Sequence, residues 1–268
     1  RPLNAALTAE RIELINGILN GTTNYILTRM AEEGCDFEAS LKEAQEKGYA
    51  ERNPEADVEG YDACRKIAIL ASLMTGKTAR YEEIYTEGIT KITREDFLYA
   101  HKMNQFIKLL ASVREVDGKY YAMVAPFLIG EKNPLHSVND VFNAIFIRGN
   151  TLGDSMYYGR GAGKLPTASA VVSDVIDCAK HGRTHILCLW GEEKLSLCSI
   201  DGASRRFFVR AKKGCEEEAK KLFGEIEMVD AGLFEEFGFV TPSLTEKAFA
   251  EKCGALSGFI SRIRVEGD

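Results

Sequence analysis

The chain has 268 residues, of which 45% are hydrophobic and 28% charged, and its formal net charge is −6. This composition is typical of a soluble globular protein with one large domain or two smaller ones. The acidic balance and the absence of Lys/Arg runs longer than two residues argue against nucleic acid or an anionic membrane as partners, and no apolar run approaches the ~20 residues of a membrane helix.

The first hundred residues predict one strand followed by capped helices. Each boundary rests on a polar N-cap or on a glycine after the last helical turn. The predicted elements are a strand over 11–19, a helix from the Asn20-Gly21-Thr22-Thr23 segment to about Glu33, a helix from Asp36 to Gly48, a loop over 49–60, a helix over 61–75 stopped by Gly76, and a helix opened by Thr93 with Asp96 at the capping-box position.

The middle of the chain predicts antiparallel strands. FIKLLASVREV and KYYAMVAPFLI flank Asp117-Gly118, a dipeptide typical of hairpin turns. A second turn at Gly149-Asn150 joins NAIFIRG to the stretch ending SMYYG. We therefore expect an α+β fold, with helices packed on a largely antiparallel sheet. The segment GRGAGKLPT then leads into a helix over 167–181, with Thr167 as its N-cap.

The last part of the chain predicts a small separate unit. Residues 182–204 are weakly patterned and are interpreted as a connection with one or two short strands. The order after that is βαββαβ, as in a ferredoxin-like domain. Its predicted elements are strand 205–210, helix 215–223, strands 225–230 and 236–241, helix 244–252 and strand 258–265. We thus divide the chain into residues 1–181, the connection 182–204 and a domain over 205–268.

The most informative stretch is AQEKGYAERNPEADVEGYDACRK, residues 44–66, in which a charged loop runs straight into an apolar helix. Asp62 and Lys66 are four residues apart and share one helix face. Ile69 and Leu73 continue that stripe, which predicts Lys66 at the edge of a buried face. The competing interpretation is a surface ion pair worth about 0.5 kcal/mol.

A lysine beside several carboxylates indicates a site for a small zwitterion such as an amino acid. Lys66 could position a substrate oxygen or donate a proton to it. Glu51 and Asp57 could hold an ammonium or a hydroxyl, or they could be solvated loop charges. Thr22 could cap a helix, bind a carboxylate, or do both.

Three glycines before a helix give a weaker indication of an anion-binding site. Gly159, Gly161 and Gly163 precede Pro166, and glycine-rich backbone entering a helix can cradle an anion. Their GxGxG spacing does not fit the dinucleotide fingerprint, and a tight turn explains it equally well.

The cysteines and histidines predict no metal centre. The seven cysteines form no CxxC pair and are odd in number, which favours reduced, buried thiols in a cytoplasmic protein. His181 and His185 are four residues apart, but Gly182 between them makes a shared helical face doubtful. We therefore assign no metal ligands.

The long stretch over 44–66 resembles the signature of homoserine dehydrogenases. Its elements match in order: Ala44, Gly48, Asn53-Pro54, Asp57, Gly60, Asp62 and Lys66. INGILNGTTNYIL and GRGAGKLPTASAVVSDVID are similar to other recurring stretches of that family, so the resemblance covers about residues 1–181. The βαββαβ tail is similar to the ACT domain that often follows. Amino-acid-binding ACT domains carry a Pro-Gly loop where this chain reads AKKGCEEEAKK, so threonine binding is not expected there.

The resemblance implies reduction of L-aspartate 4-semialdehyde to L-homoserine with NADPH or NADH, on the route to threonine, methionine and isoleucine. By motif, Lys66 would be the catalytic acid, and Glu51 would bind homoserine near the nicotinamide. Thr22, Tyr49, Asp57 and Asp62 would line the substrate pocket, while Gly161 and Gly163 would approach the cofactor. The family's Rossmann domain, second catalytic lysine and sodium-binding segment would precede Arg1. Such enzymes are usually homodimers.

Two other functions stay open at this stage. One is a non-catalytic amino-acid sensor or scaffold that kept the pocket and lost the enzyme. The other is a simple dimerisation module, which leaves Lys66 and its carboxylates unexplained. A Rossmann fingerprint immediately before Arg1 would favour the enzyme, and a natural start codon there would favour the sensor.

Overall fold

The structure, a computed structural model, describes residues 2–182, 184 and 190–267. Its α-helices are α1 (Pro2–Ala5), α2 (Gly21–Glu33), α3 (Phe37–Glu46), α4 (Glu55–Val58), α5 (Tyr61–Thr75), α6 (Arg94–Lys102), α7 (Lys164–Lys180), α8 (Glu216–Phe223) and α9 (Glu246–Ala255). Its strands are β1 (Ile12–Ile18), β2 (Tyr85–Thr86), β3 (Gln105–Val116), β4 (Lys119–Gly130), β5 (Phe142–Gly149), β6 (Gly153–Arg160), β7 (Ser204–Lys212), β8 (Glu227–Val229), β9 (Glu236–Val240), β10 (Leu244–Thr245) and β11 (Phe259–Val265).

The predicted α+β arrangement is confirmed. The sheet follows the order β6-β5-β1-β3-β4-β11-β7-β9-β8, with β2 beside β4 and β10 beside β7. Side chains alternate along β3, so Leu109 packs in the larger core cluster, which also holds helix side chains, and Leu110 packs in a smaller one. The α2 and α5 helices contribute Ile26 and Ile67 to the larger cluster, and both are fully buried.

Local signals placed the early helices and the long hairpin correctly. The side chain of Asp36 caps α3, Thr93 and Asp96 form a capping box on α6, and α5 ends at the left-handed Gly76. The β3–β4 turn has positive φ at both Asp117 and Gly118, which is the geometry that a two-residue hairpin prefers.

Two boundary predictions were wrong. The loop over 49–60 contains the short helix α4, which Asn53-Pro54 precedes. The helix predicted from Thr167 begins instead at Lys164, because Pro166 is tolerated in a first helical turn and so does not delay it. The described residues between Trp190 and Ala203 have isolated bridges at Lys194 and Leu197 and no strand, so the one or two short strands expected over 182–204 stay a prediction. Residues 185–189 of the predicted connection lie outside the described part of the chain.

The last strands extend the first sheet. The predicted βαββαβ order is present, and the strands lie in the antiparallel order β11-β7-β9-β8 that a ferredoxin-like unit requires. However, β11 also pairs in parallel with β4, with Arg264 opposite Phe127 and Val265 opposite Leu128. One continuous sheet therefore joins the two predicted units. The resemblance of the tail to an ACT domain stays a prediction.

The cysteines are only partly as predicted. Those that the structure describes are free thiols, and Cys64 is buried. Cys178, however, is exposed on α7. Cys188 lies outside the described residues. No described helix is long and apolar enough to cross a membrane.

Candidate functional site

The candidate site forms where β1 ends and the N-termini of α2 and α5 come together. Asn20 caps α2, because its Oδ1 accepts a hydrogen bond of 2.9 Å from the Thr23 amide. Gly60 precedes α5 with φ 82°, and a side chain there would press against Val124 and Thr86. The cap at Asn20 and the positive φ of Gly60 fix the starts of α2 and α5. In this arrangement Lys66 of α5 lies beside Leu19, the residue after β1.

Lys66 is held by two acceptors from different parts of the chain. Its Nζ donates to Asp62 Oδ2 at 2.6 Å and to the carbonyl oxygen of Leu19 at 3.0 Å. Since an ammonium has three N–H donors, one remains to reach a substrate oxygen. The side chain is 49% exposed, so a ligand can reach the ammonium from the open surface.

The predicted burial of the Lys66 stripe was wrong. Ile69, the next residue on that stripe, is 48% exposed. The face of α5 that packs on the sheet carries Ala63, Ile67 and Ala71 instead, and even Ser72 is fully buried. Ser72 can be buried because its hydroxyl donates to the Ala68 carbonyl and accepts from the Ala79 amide.

Asn20 links the two aspartates of the site. Its Nδ2 donates to Asp57 Oδ1 at 2.7 Å and to Asp62 Oδ2 at 2.9 Å. The sequence predicts Asn20 only as part of a helix-capping segment and does not predict this second role. An Asn-Gly pair directly after a buried strand was the available signal, but the two carboxylates approach it only through the fold.

The Asp57 carboxylate is in an unfavourable electrostatic setting. Burial raises its pKa, and the negative charges of Asp62 and Glu51 add to the rise. The hydrogen bond from Asn20 and the charge of Lys66 oppose it. A cationic group placed beside Asp57 would therefore relieve both the burial cost and the repulsion.

The remaining predicted substrate residues lie on the rim. Thr22 donates its hydroxyl proton to the carbonyl oxygen of Tyr49 at 2.6 Å, so Asn20 and not Thr22 is the helix cap. The Tyr49 ring packs edge-on against Tyr25 with centroids 5.0 Å apart. Glu51 is exposed, and its backbone carbonyl accepts from Gln45. The structure thus brings Thr22 and Tyr49 together and leaves the Glu51 carboxylate at the open edge.

The glycine segment lies near the same end of the sheet. The Gly161 amide donates to Asn143 Oδ1 at 3.2 Å, and Asn143 in turn donates to the Ile18 carbonyl at 3.0 Å. A Cβ on Gly161 would come within 2.5 Å of Asn143 Oδ1, and Gly163 has φ 111°. A side chain at position 161 would therefore displace the Asn143 amide, and the positive φ of Gly163 favours glycine.

The α7 helix is exposed along its length in the part of the chain that the structure describes. None of its residues is buried. Its exposed side chains include a stripe of aliphatic residues at helical spacing: Val171, Val172, Val175 and Ile176. An apolar face of this kind is typical of a surface that another domain or chain covers.

Removing Asn20 tests how the site is held together. We expect Asn20→Ala to lower the free energy of unfolding by about 2–3 kcal/mol, because the helix loses its cap and two neighbouring carboxylates lose their shared donor. Urea unfolding followed by circular dichroism measures this loss. The matched control is Asp36→Ala, which removes only the cap of α3 and should cost about 1 kcal/mol. Equal losses in the two variants would contradict the bridging role of Asn20.

Within the described residues, no group of three or more His, Cys, Asp or Glu side chains could hold a metal ion. The ring nitrogen Nδ1 of His181 lies 3.0 Å from the Asp177 carbonyl oxygen. His185, its possible partner, lies outside the described residues.

Comparison with known proteins relates the chain to one family. The family model for homoserine dehydrogenase matches residues 1–176. The homoserine dehydrogenase of Synechocystis is 50% identical over 181 residues, which are 66% of this chain and 42% of that protein. The chain thus spans less than half the length of this relative.

Two solved structures are also similar. A homoserine dehydrogenase from Thiobacillus denitrificans superposes with a TM-score of 0.88 at 33% identity, covering 99% of this chain and 66% of that one. A mutant of a hyperthermophilic archaeal homoserine dehydrogenase, solved in complex with NADPH, superposes with a TM-score of 0.56 at 34% identity, covering 67% and 51%.

Proposed function

The chain belongs to the homoserine dehydrogenase family, and from that premise we propose that it supplies the substrate-binding half of an NAD(P)-dependent oxidoreductase that interconverts L-homoserine and L-aspartate 4-semialdehyde. The observation that carries the proposal is the half-exposed Lys66 ammonium, which Asp62 and the Leu19 carbonyl fix while one of its three N–H donors stays unused by these two acceptors. A donor held in this way suits protonation of an oxygen that becomes an alkoxide.

Each predicted residue has a role that its position supports. In the reducing direction Lys66 would give a proton to the carbonyl oxygen of the semialdehyde, and the oxidation of homoserine would return it. Asp57 and Glu51 would bind the substrate ammonium, since their mutual repulsion is relieved by a cation. Asp62 orients Lys66, while Thr22 and Tyr49 would form the wall of the pocket.

A nicotinamide cofactor fits the glycine segment. It would supply the hydride for the carbonyl carbon when bound. Gly161 and Gly163 leave backbone accessible at the N-terminus of α7, where partial positive charge favours phosphate groups. The relative that binds NADPH supports NADP or NAD as the cofactor. We propose that the nucleotide-binding domain of the enzyme covers the aliphatic stripe of α7.

Several wider features are proposed on the same family basis. The working enzyme would be a homodimer in the cytoplasm. Residues 1–181 would bind substrate and form the dimer, residues 182–204 would be a connection, and residues 205–268 would form an ACT-like unit. The continuous sheet across β4 and β11 supports a rigid attachment of that last unit.

Replacing Asp57 should weaken substrate binding and increase the stability of the fold. We expect Asp57→Asn to weaken homoserine binding by tenfold or more, because a charge-assisted hydrogen bond to the ammonium is lost. Calorimetric titration of homoserine into the chain measures this change.

The same variant should be more stable at pH 7. The folded-state pKa of Asp57 is raised, so its ionised form costs stability above that pKa, and the cost disappears as the pH falls below the unfolded value of about 3.9. Urea midpoints at pH 7 and pH 3.5 check the direction. Asp62→Asn is the control, since it loses the ion pair to Lys66 and should not gain stability. Weaker homoserine binding by Asp57→Asn without any gain in stability at pH 7 would contradict this electrostatic explanation.

Turnover tests the function directly. We expect the 268 residues alone to show no semialdehyde-dependent oxidation of NADPH, because the sequence contains no strand–GxGxxG–helix fingerprint. A chimera that joins to this chain the part of the Synechocystis relative that precedes the matched region, proposed to bind the nucleotide, should turn over. Robust activity of the chain alone would refute its assignment as half of a site. A folded chimera that binds NADPH and homoserine but stays inactive would favour the alternative that the chain is a non-catalytic amino-acid sensor.

A further inference from the structure

A cavity lies away from Lys66, where β3 runs past the end of β1. The pairing of β1 with β3 extends only from Arg114 to Ala111, so residues 105–110 have β4 on one side and no strand of the described residues on the other. The helices α2 and α6 border this gap and leave a half-open cavity of about 290 Å³. Its wall is mainly apolar, formed by Leu27, Ala31, Phe97, Ala100, Phe106 and Ile107.

A buried lysine forms the floor of the cavity. Lys108 is only 4% exposed, and its Nζ donates to the Val138 carbonyl at 2.6 Å and to Asn139 Oδ1 at 2.8 Å. Burial lowers its pKa to about 8, although the charges of Glu32 and Asp140 raise it. Both acceptors are neutral, so this buried ammonium has no carboxylate in hydrogen-bond contact among the described residues. A bound carboxylate would supply the missing anionic partner.

Acceptors for a cation lie on other parts of the lining. Glu32 is exposed where α2 borders the cavity, and its negative charge acts on Lys108 without bonding to it. Gln105 also lines the cavity, and its Oε1 is buried with no hydrogen-bond partner among the residues that the structure describes. The cavity therefore combines one cationic donor with unused acceptors.

The floor is fixed before any ligand arrives. Asn24 of α2 donates through Nδ2 to the carbonyls of Val138 and Asp140 at 3.1 and 3.0 Å. The Thr28 hydroxyl accepts from the Asp140 amide at 3.0 Å. These contacts hold the carbonyl that positions Lys108, so binding would cost little reorganisation.

We propose that this cavity is a second binding site, specific for an α-amino acid with an apolar side chain. The carboxylate would bind the Lys108 ammonium, the α-ammonium would bind Glu32 and Gln105 Oε1, and the side chain would lie against Phe97 and Phe106. A simple carboxylic acid would face Glu32 without a compensating charge, and a simple amine would leave Lys108 unpaired. The proposal is independent of the proposed reaction, because none of these groups belongs to the Lys66 site.

Calorimetric titration of L-leucine into the full chain tests the proposal, with 4-methylpentanoate and isoamylamine as probes that each lack one charge. We expect leucine to bind at least tenfold more tightly than either. Lys108→Met should weaken leucine binding at least tenfold, and Ala31→Phe should do the same by filling the cavity while keeping Lys108. Lys119→Met, at the exposed β3–β4 turn, should leave binding unchanged.

Three results would overturn the proposal. One is no detectable binding of leucine, methionine or valine up to 20 mM. Another is unchanged leucine binding by Ala31→Phe. This variant decides the test if Lys108→Met does not fold. The third is 4-methylpentanoate binding as tightly as leucine. Asp57→Asn distinguishes the two sites, since it should weaken homoserine binding and leave leucine binding intact.

Discussion

Lys66→Ala is expected to lower kcat by roughly 10²–10⁴-fold, the range typical of losing a positioned general acid. The Lys66 N–H that Asp62 and Leu19 leave unused is the donor proposed to protonate the substrate oxygen, and our proposal gives that step to no other residue of the site. Steady-state turnover of aspartate semialdehyde by the chimera with a nucleotide-binding domain measures the loss.

The fold should be nearly unaffected by this change. Lys66 is half exposed, and its ion pair with Asp62 contributes at most about 1 kcal/mol. Lys77→Ala is a matched control, because Lys77 is similarly exposed and pairs with Glu193 at the same distance of 2.6 Å. We expect Lys77→Ala to retain normal turnover. A Lys66→Ala enzyme with near-normal kcat would end the assignment of Lys66 as the acid.

Glu87→Gln should have the largest effect on stability, a loss of about 3–5 kcal/mol. Glu87 follows β2 and accepts hydrogen bonds from Arg262 at 2.8 and 2.9 Å and from Arg264 at 2.8 Å. Arg264 is fully buried on β11 and also forms a double hydrogen bond with Glu246. Neutralising Glu87 leaves two guanidinium groups short of a counter-charge at the junction between β11 and the first sheet.

The pH dependence of unfolding gives an independent check. Burial alone would raise the pKa of Glu87, but hydrogen bonds and charge from Arg262 and Arg264 outweigh it and lower the pKa from 4.5 to about 2. The stabilisation is therefore present above pH 4.5 and is lost as the pH falls towards 2, with a total of about 3 kcal/mol. Urea midpoints between pH 5 and pH 2 should fall more steeply for the wild type than for Glu87→Gln. Glu83→Gln is the control, since Glu83 forms only a half-exposed pair with Lys194. Equal slopes in all three proteins would rule out this role of Glu87.

The sequence by itself determined the local structure and the family. Caps such as Asp36 and Thr93, the stop at Gly76 and the Asp117-Gly118 turn depend on contacts within a few residues, so they can be read from the chain. The stretch over 44–66 also named the family, because its spacing of Asp57, Asp62 and Lys66 is specific.

Only the tertiary structure decided which faces are buried and which distant groups meet. The run IAILASLM in α5 is apolar except for Ser72. Its hydrophobicity therefore has no clear helical periodicity that would predict whether Ile69 or Ala71 faces the sheet. Asn20 reaches Asp57 and Asp62 across 37 and 42 residues, and β11 joins β4 in parallel across more than 130. Local propensity cannot predict such pairings, because their energy comes from hydrogen bonds and burial that exist only once the chain has folded.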